Sequence, residues 1–219
     1  PTHIAVIFDK GSHTFRNDLY DQYKANRDEM PQDLRPQMPL TRQATRAFNI
    51  ACEEIEGYEA DDIIATLAVQ ASKAGGAVTI ISSDKDLMQL VGGGVEMYDA
   101  MKNRTIDSDG VIEKFGVFPN RVVAVQALAG DSVDNVPGAP GIGVKTAALL
   151  INDFGDLETL LERAEEIKQT KRRETLINHA DQIRLSKKLV TLDNQTPLDF
   201  TLDDLEVRQP DPEVLLGFL

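Results

Sequence analysis

Gly130-Asp-Ser-Val-Asp-Asn-Val-Pro-Gly-Ala-Pro-Gly-Ile-Gly-Val-Lys-Thr-Ala147 restricts the fold more than any other stretch of this chain. Its glycines and prolines forbid a continuous helix or strand, so it must be a compact turn between other elements. Its first half sets Asp131 and Asp134 three residues apart, oxygen donors suited to a hard cation. Its second half, Pro140 to Thr146, is a tight turn feeding a helix that starts at Val144. Gly141 and Gly143 let backbone approach a phosphate closely, the first helical amides and the helix dipole attract it, and Lys145 adds a full charge. A cation holder beside a phosphate holder predicts a protein that handles phosphodiesters. Such a turn touches no base edge, so its grip on nucleic acid is sequence-independent. The plain alternative is a structural turn between two helices. A nucleotide-binding P-loop is excluded, because Val144 separates Gly143 from Lys145.

The rest of the chain alternates strand and helix at first and turns helical later. Ile4 to Phe8 and Ala77 to Ile81 are continuous apolar runs, read as strands buried on both faces. Asp9 follows the first; Ser82-Ser-Asp-Lys-Asp86 follows the second. Between them, Met30 to Pro39 holds three prolines and reads as irregular or a broken helix. Leu40 to Ile55 has helical spacing, which puts Cys52 on a buried helix face. Gly57 to Ala71 is a helix with acids in its first turn. Leu87 to Val91 is a short helix, and Val95–Tyr98 with Arg104–Ile106 form a hairpin. Asp107-Ser-Asp-Gly110 reads as a plain turn, since it lacks calcium-loop spacing beyond that point. Helices are then expected from Pro119 to Leu128, Val144 to about Asn152, Asp156 to Ala164, and Lys171 to Leu192, the last with Ile177, Ile183 and Leu189 inward. The division predicted is an α/β unit over 1–108 and a mainly helical unit over 109–219.

Carboxylates gather at four places: Asp9; Glu59, Asp61 and Asp62; Asp84 and Asp86; Asp131 and Asp134. Strand ends and helix starts converge at one edge of an α/β sheet. Carboxylates crowded there repel unless cations neutralise them, and Mg2+ or Mn2+ prefers such oxygen donors. No His or Cys joins the groups, so zinc is not expected. Each group has an ordinary reading as well: a helix N-terminal complement for Glu59 and Asp62, a cap for Asp84 and Asp86, a turn for Asp131 and Asp134.

The formal net charge of −13 argues against simple electrostatic attraction to nucleic acid. Basic residues are nevertheless grouped at Arg16 to Arg27 and Lys168 to Arg173, and divalent cations can cover carboxylates. The single cysteine excludes an internal disulfide. No apolar run approaches the roughly 20 residues of a membrane span and no signal peptide is seen, so a cytoplasmic location without membrane contact is expected.

Val6-Ile-Phe-Asp9, Thr14-Phe-Arg-Asn17, Tyr23-Lys-Ala-Asn-Arg27, Gly57-Tyr-Glu-Ala-Asp-Asp62, Ser83-Asp-Lys-Asp-Leu87 and the Gly130–Ala147 run occur in an order that resembles the 5′-nuclease family. That family includes flap endonucleases and the 5′→3′ exonuclease domain of bacterial DNA polymerases. The resemblance implies a PIN-like parallel-sheet core with a helical arch at about 16–46. It also implies a helix-hairpin-helix at 130–152 that grips duplex DNA. It implies Asp9, Glu59, Asp61, Asp62, Asp84, Asp86, Asp131 and Asp134 as ligands of two Mg2+ or Mn2+ ions, which activate water and stabilise the leaving oxygen. Lys24 and Arg27 would contact the scissile phosphate. Arg16, Tyr23, Gly141, Gly143, Lys145 and Thr146 would contact DNA bearing a 5′ end or flap. Ser132, Val136 and Ile142 would offer backbone carbonyls to K+.

One departure is visible: the family's earlier strand, with a further metal-ligating Asp, does not precede Pro1. Both ends read as cuts, so a fragment of a longer chain is expected, monomeric and tethered to polymerase regions. Metal-dependent hydrolysis near a 5′ end leads; a non-catalytic duplex-binding module and an acidic interaction domain remain the alternatives.

Overall fold

The computed structural model describes residues 1–219. In chain order its elements are β1 (Ala5–Ile7), α1 (Phe15–Leu19), α2 (Met38–Ala47), β2 (Ala51–Glu53), α3 (Ala60–Lys73), β3 (Val78–Ile81), β4 (Val95–Asp99) and β5 (Arg104–Ile106). Helices α4 (Ser108–Phe115), α5 (Val122–Ala129), α6 (Val144–Phe154), α7 (Leu157–Glu162), α8 (Thr170–Asn178), α9 (Ala180–Val190) and α10 (Pro212–Phe218) follow. They sort into two compact units, both discontinuous in sequence: Pro1–Phe15 with Arg27–Ala71 and Asp193–Leu219, and Arg16–Asn26 with Ser72–Leu192. A division at residue 108 does not describe this sorting. The hairpin β4–β5 shares a unit with the later helices, and the last 27 residues return to the unit of β1.

In the first unit β1 and β2 pair in parallel, Ala5 beside Ala51 and Ile7 beside Glu53. Helix α3 buries Ile63 and Leu67 against Leu205, with Ile7, Ile55, Leu198 and Phe200 around them. Residue Asp62 explains how the tail is fastened there. It is fully buried, takes the Glu59 N–H at 3.2 Å as a helix-start carboxylate, and takes the Asp193 N–H at 2.8 Å. Each of its two oxygens accepts one backbone N–H.

In the second unit β3 and β4 are parallel, β4 and β5 antiparallel, in the order β3-β4-β5. Helix α5 is apolar on nearly all sides, which suits only a buried helix; Val122, Val125, Ala127 and Leu128 are inaccessible and α9 and α6 pack on it. Arg16 is buried in this unit at 1% exposure. Its Nε donates to the Leu189 carbonyl at 2.8 Å and an Nη to the Thr191 carbonyl at 3.0 Å. Those are the last carbonyls of α9, which have no partner within the helix. Arg16 is thus a C-terminal cap for α9. Arg16→Met should lower the unfolding free energy by about 3 kcal/mol through two stranded carbonyls, read as a lower urea midpoint at unchanged slope.

Four local expectations are corrected. The helix over Leu40 to Ile55 stops at Ala47; Asn49 turns left-handed at φ 56, and the chain re-enters as β2, which places Cys52 in a strand. The strands are not buried on both faces: β1 is half-buried in a two-stranded sheet, and Ile81 of the edge strand β3 is 69% exposed. Asp107 starts α4, its carboxylate accepting the Gly110 N–H at 3.0 Å, rather than forming a plain turn. The long helix from Lys171 is two helices broken at His179. Leu176 rather than Ile177 faces in, seven residues from Ile183 and so on the same face. The hairpin β4–β5, the helix before Gly130 and the helix from Val144 form as expected. The segment 31–37 is irregular apart from one 3-10 turn, Arg35–Gln37.

Candidate functional site

Within the first unit, Asp9 leaves the end of β1 exposed and its Oδ1 accepts the Ala60 N–H at 2.7 Å. This seats one proposed ligand directly on the N-terminus of α3; Glu59 immediately precedes the helix and Asp61 lies in its first turn, both half-buried. The helix dipole supports negative charge there. Arg42 fixes the approach: it donates to the Asp9 carbonyl at 2.7 Å and to Glu54 at 2.6 Å, with its guanidinium 4.6 Å from the Phe8 ring centre. Asp62, spent on two backbone amides, is the acid of this group least able to hold an ion.

Within the second unit, Asp84 ends the β3 loop, exposed, its Oδ1 accepting the Asp86 N–H at 2.9 Å. Asp86 points the other way. Gln126 of α5 donates to its Oδ1, and the Lys85 ammonium stands 3.4 Å from the same oxygen. Lys85 also makes a close ion pair with Oδ2 of Asp131. Asp131 uses its Oδ1 to accept the Val133 N–H at 2.8 Å, so it closes its own turn as well. Burial pushes the Asp86 carboxyl above the usual range, reinforced by Asp84 and Asp131 and opposed by Lys85. Burial acts on Asp131 too, but there the bond from Lys85 and the backbone N–H of Val133 outweigh it and hold the carboxyl below its ordinary value. A cleft of about 670 Å³ opens beside this corner, lined among others by Ser83, Asp84, Lys85, Lys102, Arg104 and Lys114.

The turn at residues 20–26 is strapped to the turn at 131–136 in the same unit. Asn26 donates to the Ser132 carbonyl at 2.8 Å, Asn135 to the Gln22 carbonyl at 2.7 Å, and the Lys24 N–H to the Asp134 carbonyl at 3.0 Å. Lys24 adopts a left-handed φ of 56, uncommon for a branch-free lysine and held there by that bond. Its ammonium is 3.7 Å from Oδ2 of Asp134 and 5.0 Å from the Tyr23 ring centre. Tyr23 is 4% exposed, packed with Val136, Leu189 and Val190, its hydroxyl donating to Asp134 at 3.4 Å. The ring is therefore part of the core while the hydroxyl reaches Asp134. Arg27 is exposed.

The helix-hairpin-helix is α5, the turn, and α6. Gly141 has φ +75 and Gly143 is extended, and a Cβ on either would meet nothing within 4 Å. Gly143 caps α6 without any side-chain bond, so the first amides of the helix face open ground beside exposed Lys145 and half-buried Thr146. The Ser132 and Val136 carbonyls, candidates for K+, already accept bonds from Asn26 and the Asp131 N–H; Ile142 is buried. No three His, Cys, Asp or Glu side chains form a ready metal-holding group. The oxygen-only donor chemistry nevertheless suits a hard divalent ion rather than zinc.

A family model for the 5′-3′ exonuclease N-terminal resolvase-like domain matches residues 1–116, and one for the 5′-3′ exonuclease C-terminal SAM fold matches residues 117–213. The chain belongs to the 5′-3′ exonuclease family. DNA polymerase I of Rhizobium leguminosarum is 59% identical over 219 residues, 100% of this chain and 22% of that protein. Flap endonuclease Xni of Cronobacter sakazakii is 41% identical over 175 residues, 79% of this chain and 70% of that one. The chain thus spans under a quarter of the polymerase relative's length. Two solved structures share the fold. T5 5′-exonuclease with divalent metal ions (zinc) bound has a TM-score of 0.74 at 23% identity, covering 96% of this chain and 79% of that one. The catalytic core of Rad2 in complex with DNA substrate has a TM-score of 0.61 at 18% identity, covering 96% and 70%. The matched resolvase-like and SAM-fold parts of this exonuclease-family chain agree with the sequence expectation of a parallel-sheet core followed by a helical region.

Four site residues escaped sequence reasoning. Lys85 stood in plain view between Asp84 and Asp86, but its partner Asp131 is 46 residues away. Gln126 sits in an otherwise apolar helix, a polar residue where burial demands a reason. Asn26 and Asn135 act only together with the turns they strap.

Proposed function

We propose that this exonuclease-family chain hydrolyses DNA phosphodiesters at 5′ ends or flaps, with Mg2+ or Mn2+, as the nuclease portion of a longer, polymerase-bearing protein. The supporting observation is the corner where Asp86 and Asp131 share one ammonium at the edge of an open cleft, with Asp84 exposed beside it. Two acids that hold one cation between them are an oxygen site of the kind a hard divalent ion takes. Asp9, Glu59 and Asp61 on α3's N-terminus, and Asp84, Asp86, Asp131 and Asp134, are the proposed ligands; Asp62 supports α3 and the tail. Bound divalent ions would supply Lewis-acid polarisation of the phosphate and a more acidic water. Lys24, whose ammonium stands 3.7 Å from Asp134, supplies positive charge to the phosphate, and exposed Arg27 adds to it.

The turn before α6 serves as the duplex grip. Its open amides bind backbone phosphate without reading bases, so binding is sequence-independent. Lys145→Ala is expected to weaken binding of unrelated duplexes to the same degree and to lower the slope of log K against log salt by about 1. Gly143→Ala should leave thermal stability unchanged, since its Cβ meets no atom within 4 Å, while weakening the same binding by crowding the phosphate. Equal loss of stability in both variants would count against a grip.

The deciding experiment incubates the chain with a 5′-flap DNA in Mg2+, Mn2+ or EDTA. Metal-dependent release of the flap is expected. Duplex binding without cleavage in either metal would overturn the nuclease reading, and absence of binding would overturn the DNA reading as well.

A further inference from the structure

The cation between Asp86 and Asp131 belongs to the protein itself. The Lys85 ammonium is 3.4 Å from Oδ1 of Asp86 and pairs closely with Oδ2 of Asp131. The carboxylates are largely covered, with side-chain exposures of 18% and 7%, while that of Lys85 is 38% and faces the cleft. Gln126 braces Asp86 from the helix side at the expense of its own Oε1, which is buried without a partner. A buried acceptor left unpaired is unfavourable, and folds retain one where something else is gained. Here the gain is a fixed orientation of Asp86.

We propose that Lys85 is a built-in counter-ion that occupies the cation position shared by Asp86 and Asp131 and yields it when a divalent ion enters. This deepens the metal-dependent reading above and rests on it. Two close carboxylates without a cation repel each other. The ammonium prevents this before any metal arrives. The lysine stem is flexible and its head lines the cleft, so the group can move into open space without disturbing β3 or α5. Because ammonium and metal compete for the same oxygens, Lys85 weakens metal affinity while keeping the acids ready.

The test compares the wild-type chain with Lys85→Gln, Lys85→Met and Lys85→Arg. Mn2+ binding is measured by titration calorimetry without DNA, and melting is followed in EDTA and in Mn2+. Lys85→Gln and Lys85→Met are expected to bind Mn2+ about tenfold more tightly, since a competing full charge is gone. They should melt below wild type in EDTA yet gain more from Mn2+ than wild type does. Lys85→Arg, which keeps the charge, should stay close to wild type. Having all three avoids dependence on one variant's folding. Unchanged or weaker Mn2+ binding by the neutral variants would overturn the counter-ion role. Weaker DNA binding with unchanged Mn2+ affinity would overturn it in favour of a phosphate contact. Absence of Mn2+ binding by the wild-type chain itself would sink the metal reading first, and this inference with it.

Discussion

Asp84→Ala and Asp134→Ala are each expected to lower metal-dependent flap cleavage about a thousandfold, since an ion is worth several kcal/mol in the transition state and each 1.4 kcal/mol is tenfold. The fold should survive both changes. Asp84 is exposed and caps only one short turn, so its loss removes about 1 kcal/mol of stability. Asp134 loses a 3.4 Å bond from Tyr23 and the nearby Lys24 ammonium, but its backbone bond to Lys24 remains. Cleavage rates on a labelled 5′ flap, together with far-ultraviolet dichroism, separate the two effects. Near-normal cleavage by both variants would remove these acids from the metal set. Loss of structure in either would mean that the acids serve the fold. Asp62→Ala gives the opposite pattern to Asp84→Ala: a fully buried carboxylate that answers two backbone amides supports the fold directly.

Gly138→Ala should be the most disruptive single methyl group in the chain. Gly138 has φ +59, its added Cβ would collide with the Gly130 backbone nitrogen, and Gly130 Cα would lie only 2.7 Å away. Both atoms are backbone and cannot swing aside. Neither can the turn shift as a whole. The Gly138 N–H donates to the Ser186 hydroxyl at 2.9 Å, Gln182 donates to its carbonyl at 2.7 Å, and the next N–H donates to Leu128 at 2.7 Å. The expected loss is at least about 4 kcal/mol, a large part of a domain's usual stability. Gly141→Ala is the control. It also has positive φ, +75, but its Cβ would meet nothing within 4 Å. It should lose only about 1 kcal/mol, the left-handed backbone term by itself. Urea unfolding of both variants tests the difference. Equal losses would mean that contact at Gly138 is not the cause.

The sequence made the local chemistry of this chain readable. Acids at the end of β1, at the start of α3 and after β3 follow from short patterns, and so does the glycine turn into α6. Each signal lies within a few residues, where periodicity and turn chemistry act. What was not readable depends on partners far along the chain. Arg16 looks like a surface base until α9 offers two carbonyls more than 170 residues later. Tyr23 carries no sign in its own stretch that Val136, Leu189 and Val190 close over its ring. Lys85 has its partner Asp131 46 residues away, outside any local pattern. The break at His179 and the short β2 were hidden for another reason: Leu176/Ile177 and Cys52 sit in apolar runs where helix and strand periods overlap.

The straps between residues 20–26 and 131–136 have a thermodynamic consequence. Lys24 and Asp134 share a backbone bond and face each other through their side chains. If these are the ligand and the phosphate contact proposed above, an ion that draws the Asp134 carboxylate would release the Lys24 ammonium for a phosphate, and a phosphate that draws Lys24 would take one positive charge from beside Asp134. Each event therefore favours the other, and linkage requires the factor to be the same in both directions. If DNA tightens the ion's hold tenfold, the ion tightens the DNA's hold tenfold.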